Sequence, residues 1–198
     1  MGFRITKKKL IEQYNRQGKQ QPETAYRPDI ETFSKYVPKG SSVLDQGCNG
    51  GIGSHLLAEA GYKVTGLDIN PAAIDQARKR YGKEGIRFRL EKLKEQDEQQ
   101  YDAVFSRNVL ADVVRVGGLK RLDRELKRLY ESIKPSGTLY ATTYLYINAD
   151  FTMKSRSLTE GKVKREFEKY FEIVDSRIVE EKSGKGEKKR LILIGRKK

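Results

Sequence analysis

The 198-residue sequence holds one cysteine, so no internal disulfide can form and a disulfide-stapled secreted fold is excluded. No apolar run approaches the roughly 18 residues that a membrane span requires. The basic residues near the N-terminus are not followed by an apolar stretch, so they do not read as a secretory signal. A single histidine, His55, and that single cysteine, Cys48, leave no cluster with metal-ligand spacing. No base is apparent beside Cys48, which reads as a small packed side chain rather than a nucleophile. These absences predict a soluble, cytoplasmic protein with no metal and no membrane partner.

Charge is abundant. Lysine plus arginine number 41 against 27 acids, a net charge of +14. The excess is uneven: residues 1–42 carry +5, residues 43–118 carry 0 and residues 119–198 carry +9. Basic ends attract anions, RNA among them, although solvated helix faces account for the same composition.

Leu10, Ile11 and Tyr14 fall at helical spacing, and residues 17–28 read as a loop. Asp29 is placed to cap a short helix through Val37. From residue 42 the chain alternates. Strands are expected over 42–45, 63–68, 86–90, 101–106 and 138–143. Helices are expected over 52–60, 70–81, 109–114 and 119–133, with Pro135-Ser136-Gly137 as a turn. That alternation predicts an α/β fold, a mostly parallel doubly wound sheet with helices on both faces. The end departs from it. A helix over 160–170 precedes strands 171–180 and 189–196, joined by residues 182–187 as an antiparallel C-terminal hairpin, for seven strands in all. Leu191 to Ile194 are apolar throughout, which places that strand inside the sheet. Residues 196–198 read as a frayed tail.

The chemistry sits in Val43-Leu44-Asp45-Gln46-Gly47-Cys48-Asn49-Gly50-Gly51-Ile52-Gly53. A strand ends, glycines let the backbone turn, and a helix begins where a ligand can approach its N-terminus. Asp68 ends the next strand, where a carboxylate can accept both hydroxyls of a ribose. The glycines fit no register of the dinucleotide fingerprint. An acid two residues before the first glycine also suits a cationic ligand better than a pyrophosphate.

In these segments the sequence resembles the class I S-adenosylmethionine-dependent methyltransferases. Residues 45–51 look like the family's first motif, and Gly66-Leu67-Asp68-Ile69-Asn70-Pro71 like its second. Residues 101–106 with Asn108-Val109-Leu110 look like the fourth-strand motif, and Lys134-Pro135-Ser136-Gly137 like the turn before strand five. The closing antiparallel hairpin is a family hallmark. The resemblance implies S-adenosylmethionine as cofactor. It implies that Asp45, Gly47, Cys48, Asn49 and Gly51 border the methionine end, that Asp68 holds the ribose and that Ile69 packs on the adenine. Glu91 would lie near the adenine amine, and Ser106 and Arg107 would border the methionine and the acceptor. Asn49 stands where the family usually has glycine, and asparagine tolerates left-handed backbone.

Specificity in this family comes from outside the cofactor core. That implies a domain over 41–198 preceded by a helical lid or substrate segment over 1–40. Tyr14, Arg16, Tyr26 and Arg27 of that segment, with Tyr144 and Tyr146 after strand five, suit a planar or anionic small molecule. Alternatives are an RNA methyltransferase and a non-catalytic cofactor-binding scaffold.

Overall fold

The computed structural model describes residues 6–17, 21–83, 85–91, 97–145, 158–183 and 186–198. Helix α1 (Lys7–Gln17) is followed by a one-turn 3-10 helix (Glu23–Ala25) and α2 (Arg27–Phe33). The alternating region runs β1 (Ser42–Gln46), α3 (Ile52–Glu59), β2 (Lys63–Asp68), α4 (Pro71–Tyr81), β3 (Arg87–Leu90) and β4 (Tyr101–Arg107). It continues with α5 (Val109–Gly117), α6 (Leu119–Ser132) and β5 (Ile133–Leu145), then α7 (Glu160–Phe167), β6 (Phe171–Ser183) and β7 (Gly186–Lys197). Among the described residues seven strands form one sheet in the order β3-β2-β1-β4-β5-β7-β6. β1 to β5 pair in parallel, and β7 runs antiparallel between β5 and β6. The interior place expected for the Leu191–Ile194 strand is therefore observed.

Two cores follow from the period-two alternation of the strands. On one face α2, α3 and α4 bury Phe33, Leu57 and Ile74 against Val43, Phe105 and Tyr140. On the other, α5, α6 and α7 pack on Leu44, Val104 and Leu193. Helix α6 shows why the sequence folds this way. Leu122, Leu126 and Leu129 recur on one helical face and are fully buried, each contributing about 1.5–3 kcal/mol. Asn70 caps α4 by accepting from the Ala72 N–H, with Pro71 at the first turn.

Several local expectations are corrected. Of the loop expected over 17–28, residues 18–20 lie outside the described set, residues 23–25 form the 3-10 turn and α2 starts at Arg27, not at Asp29. Asp29 is no cap: it is 1% exposed inside the first turn of α2. Residues 135–137 are an irregularity within β5, where the pairing slips between Tyr101↔Ile133 and Ala103↔Thr138. Ser136 takes a positive φ of 61° there, which local sequence reads as a turn. Helix α5 runs on to Gly117, whereas α7 stops at Phe167 because Phe171 is needed in the core as the start of β6. Strand pairing runs on to Ser183↔Gly186, inside the six residues expected as the connection, and pairs such as Glu180–Lys189 (3.2 Å) flank it. The tail is not frayed. Arg196 and Lys197 belong to β7, and Lys197 Nζ donates to the Ile133 carbonyl at 2.6 Å.

Candidate functional site

Open α/β sheets hold ligands beyond the carboxyl ends of their strands. Here β1 ends in Asp45-Gln46, and the chain turns through Gly47 (φ 71°), Asn49 (φ 49°) and Gly51 (φ 87°) into α3. A Cβ at Gly47 would lie 2.4 Å from Val109 Cγ2, so the loop approaches α5 more closely than any side chain permits. Asn49 adopts the left-handed backbone that its place among the glycines calls for, and its N–H donates to Asp68 Oδ2 at 3.0 Å. Asp68 Oδ1 accepts from the Asn70 N–H at 2.8 Å. Asp68 thus fixes both loops that flank the crevice while its carboxylate stays partly accessible. Burial raises its pKa, and those two backbone N–H groups oppose the rise.

Asp45 is 3% exposed and accepts from Ser54 Oγ at 2.7 Å. Burial pushes its pKa up to about 7, the Ser54 hydrogen bond opposes this, and the Asp68 charge adds to it. The Arg107 charge opposes the rise at Asp45, and the Lys7 charge opposes that at Asp68. Cys48 is buried and its thiol is pushed well up by burial, which keeps it protonated and inert. Ile69 follows Asp68 at the mouth. Leu90 pairs with Asp68 across β2–β3 and is 45% exposed, an apolar surface that the sequence reading missed. Glu91 donates its N–H to the Asp68 carbonyl at 3.0 Å, and its carboxylate takes the Nε of Arg89, which also binds Asp97.

Ser106 and Arg107 end β4 and face opposite ways. Ser106 Oγ donates to Gln46 Oε1 at 2.7 Å, and Gln46 Nε2 donates to Glu125 of α6 at 2.7 Å. Arg107 turns toward residues 21–29. Its Nε donates to Asp29 at 2.7 Å, Nη2 to the Ala25 carbonyl at 2.8 Å, and its guanidinium lies 4.2 Å from the Tyr26 ring centre. Asp29 also accepts from Arg190 Nη1 and from the Tyr140 hydroxyl at 2.8 Å. This buried hub joins α2 to β4, β5 and β7. The sequence offered no signal for it, since Arg190 is 161 positions away.

The acceptor-side residues separate. Tyr26 stays beside Asp45: burial raises its pKa, the Arg107 charge opposes this, and the Asp45 charge adds to the rise. Tyr14 is 43% exposed on α1 and donates to Asp112 of α5. Arg27 is half exposed and pairs with Glu23 at 3.2 Å. Tyr144, near the carboxyl end of β5, donates to Glu181 at 2.9 Å. The side chain of Arg16 and the whole of Tyr146 lie outside the described residues. His55 stacks on Tyr81 with centroids 4.6 Å apart. Among the described residues no His, Cys, Asp and Glu group is placed to hold a metal, and no helix is long and apolar enough to cross a membrane.

Residues 44–141 match the methyltransferase domain family. A ubiquinone biosynthesis O-methyltransferase of Methylocella silvestris is 31% identical over 116 residues, 55% of this chain and 43% of that protein. Its counterpart in Xylella fastidiosa is 32% identical over 133 residues, 64% of this chain and 52% of that protein. The chain thus spans about half the length of the curated relatives it matches. In structure it is similar to a methyltransferase of Methanosarcina mazei, with TM-score 0.68, 21% identity and coverage of 84% of this chain and 96% of that one. It is also similar to the N-methyltransferase NodS of Bradyrhizobium japonicum, with TM-score 0.70, 17% identity and coverage of 89% and 88%. The reversed strand β7 separates this sheet from dinucleotide-binding domains, and the matched residues hold the glycine loop and both strand-end acids. The chain belongs to the class I S-adenosylmethionine-dependent methyltransferases.

Proposed function

We propose that this protein is an enzyme that moves a methyl group from S-adenosylmethionine to a small-molecule acceptor. The observation that carries the reading is the pair Asp45 and Asp68, which end neighbouring strands on either side of a positive-φ glycine loop. The residues fit the cofactor. Asp45 is a buried carboxylate whose hydrogen bonds come from neutral Ser54, so an ammonium would complete it. Asp68 retains acceptor capacity for ribose hydroxyls beside the apolar Ile69 and Leu90. S-adenosylmethionine supplies an already activated methyl on a sulfonium. The chain therefore has to bind, align and exclude water, with a base needed only for an acceptor that must lose a proton.

Helix α1 is the element suited to closing the crevice. Asn15 Oδ1 accepts from Asn70 Nδ2 at 2.8 Å, Tyr14 reaches Asp112, and Gln13 accepts from Arg115 at 3.2 Å. Those contacts join the end of β2 to α5, across the end of β1. They are mostly polar, with Leu10 buried beneath, which marks a weakly held element. By contrast α2 is part of the core, so α1 is the part of the expected 1–40 segment that would serve as a lid. A small acceptor is supported by the relatives, named for ubiquinone biosynthesis and as an N-methyltransferase. Ser106-Arg107-Asn108 also lacks the Asn/Asp-Pro-Pro-aromatic pattern of base- and amide-nitrogen methyltransferases. The charge of +14 favours a second reading, RNA as acceptor.

Calorimetric titration with S-adenosylmethionine and S-adenosylhomocysteine tests the reading, followed by methyl-transfer assays on small molecules and RNA. Micromolar binding and transfer to a small molecule are expected. RNA affinity that falls steeply with salt, with transfer to RNA, would replace the acceptor class. Absence of cofactor binding would refute the enzyme.

A further inference from the structure

We propose that Tyr26 is the wall of the crevice at the amino-acid end of the cofactor, held in place by Arg107. The assignment rests on the cofactor reading above and extends it to a residue outside the family's glycine loop. Three features converge at Gly53, in the first turn of α3. A Cβ placed there would lie 3.1 Å from Asp45 Oδ2, and 3.4 and 3.5 Å from Tyr26 Cε1 and Cδ1. The edge of the Tyr26 ring, the Asp45 carboxylate and the start of α3 therefore border one small volume.

Arg107 makes this arrangement a built one. The partners that its guanidinium takes are Gln21, the Ala25 carbonyl, the Tyr26 ring and Asp29. All lie within residues 21–29, so the arginine fastens the segment that carries Tyr26 to the end of β4. The arginine side chain is 8% exposed, and its ion pair with Asp29 is buried. Tyr26 itself is only partly buried against the core. The ring is held at the edge of a buried carboxylate with part of its surface left open. An aromatic wall there excludes water from the ammonium that Asp45 would meet, which strengthens that charge pair. Tyr26 is thereby assigned to cofactor binding rather than to the acceptor.

The test compares two ligands that share an adenosine thioether. S-adenosylhomocysteine carries the amino-acid end, and 5′-methylthioadenosine lacks it. Calorimetric titration of Tyr26→Ala is expected to weaken S-adenosylhomocysteine by about tenfold, while 5′-methylthioadenosine stays within about twofold. Tyr26→Phe keeps both affinities near wild type, because the ring and not the hydroxyl forms the wall. Arg107→Met reproduces the selective loss if it folds. Should it not fold, the two tyrosine variants decide the matter. Equal losses for both ligands in Tyr26→Ala, or no loss for either, would refute the assignment alone. A wild-type protein that binds neither ligand would refute the cofactor reading and this assignment with it.

Discussion

Titrating the cofactor product against the protein across the weakly acidic range tests the electrostatics of Asp45. In the free protein its carboxyl has a pKa of about 7, because burial penalises the charged form and Asp68 adds a like charge. A bound ammonium requires that carboxyl to be ionised, so affinity scales with the ionised fraction. That fraction rises from about 3% near pH 5.5 to about half at pH 7. S-adenosylhomocysteine should then bind about fifteenfold more tightly at the higher pH, while its own α-amino group, titrating near pH 8, stays protonated. Asp68 is also raised by burial, which steepens the trend without reversing it. Calorimetry in buffers of different ionisation enthalpy should show close to one proton released per ligand at about pH 5.5. Asp45→Asn should flatten the profile and weaken binding. The free protein has the opposite dependence. Folding raises this pKa above the unfolded carboxylate value, so the stability this group contributes is present at acid pH and lost as pH rises toward 7. Asp45→Asn should therefore raise Tm above pH 7. An affinity independent of pH, or one that weakens as pH rises to 7, would refute the argument.

Other substitutions address the remaining parts of the site. Asp68→Ala removes the acceptor for the Asn49 and Asn70 N–H groups. It should abolish cofactor binding while circular dichroism stays native, and unchanged affinity would sink the ribose assignment. Asp29→Ala leaves Arg107 a buried cation without its ion pair and takes from Arg190 one of its two carboxylates, Glu181 remaining at 2.6 Å. Urea denaturation should show a loss of about 3–5 kcal/mol, and a loss below about 1 kcal/mol would mean the hub is not a structural anchor. Gly47→Ala meets Val109 at 2.4 Å with φ at 71°. It should lower both Tm and cofactor affinity, and a variant with wild-type values for both would show that the loop has slack.

Much of the fold was legible because the determining signals are local. Period-two runs such as Val43-Leu44 and the Leu122-Leu126-Leu129 stripe of α6 announce their faces, and Asn70-Pro71 announces a helix start. The apolar run 191–194 disclosed a strand covered on both faces, hence β7 in the interior. The glycine loop and the two strand-end acids were readable for the same reason, since spacing along the chain sets their spacing in the crevice. Local reading failed where a long-range contact outweighed local preference. Residues 135–137 read as a turn because proline and glycine favour one, yet they form an irregularity inside β5, because Ile133 and Thr138 on either side of them both pair with β4. Asp29 reads as a helix cap from its neighbours alone. Its role as a buried anchor depends on Arg107, Tyr140 and Arg190, which only the packed sheet brings together. The sequence by itself determined the order of elements, the glycine loop and the acids that flank it. The tertiary structure decided that Tyr26 lies beside Asp45 and that Arg107 grips residues 21–29. It also decided that Asp45 titrates near neutrality, because burial and charge proximity are properties of the packed chain and not of any local segment.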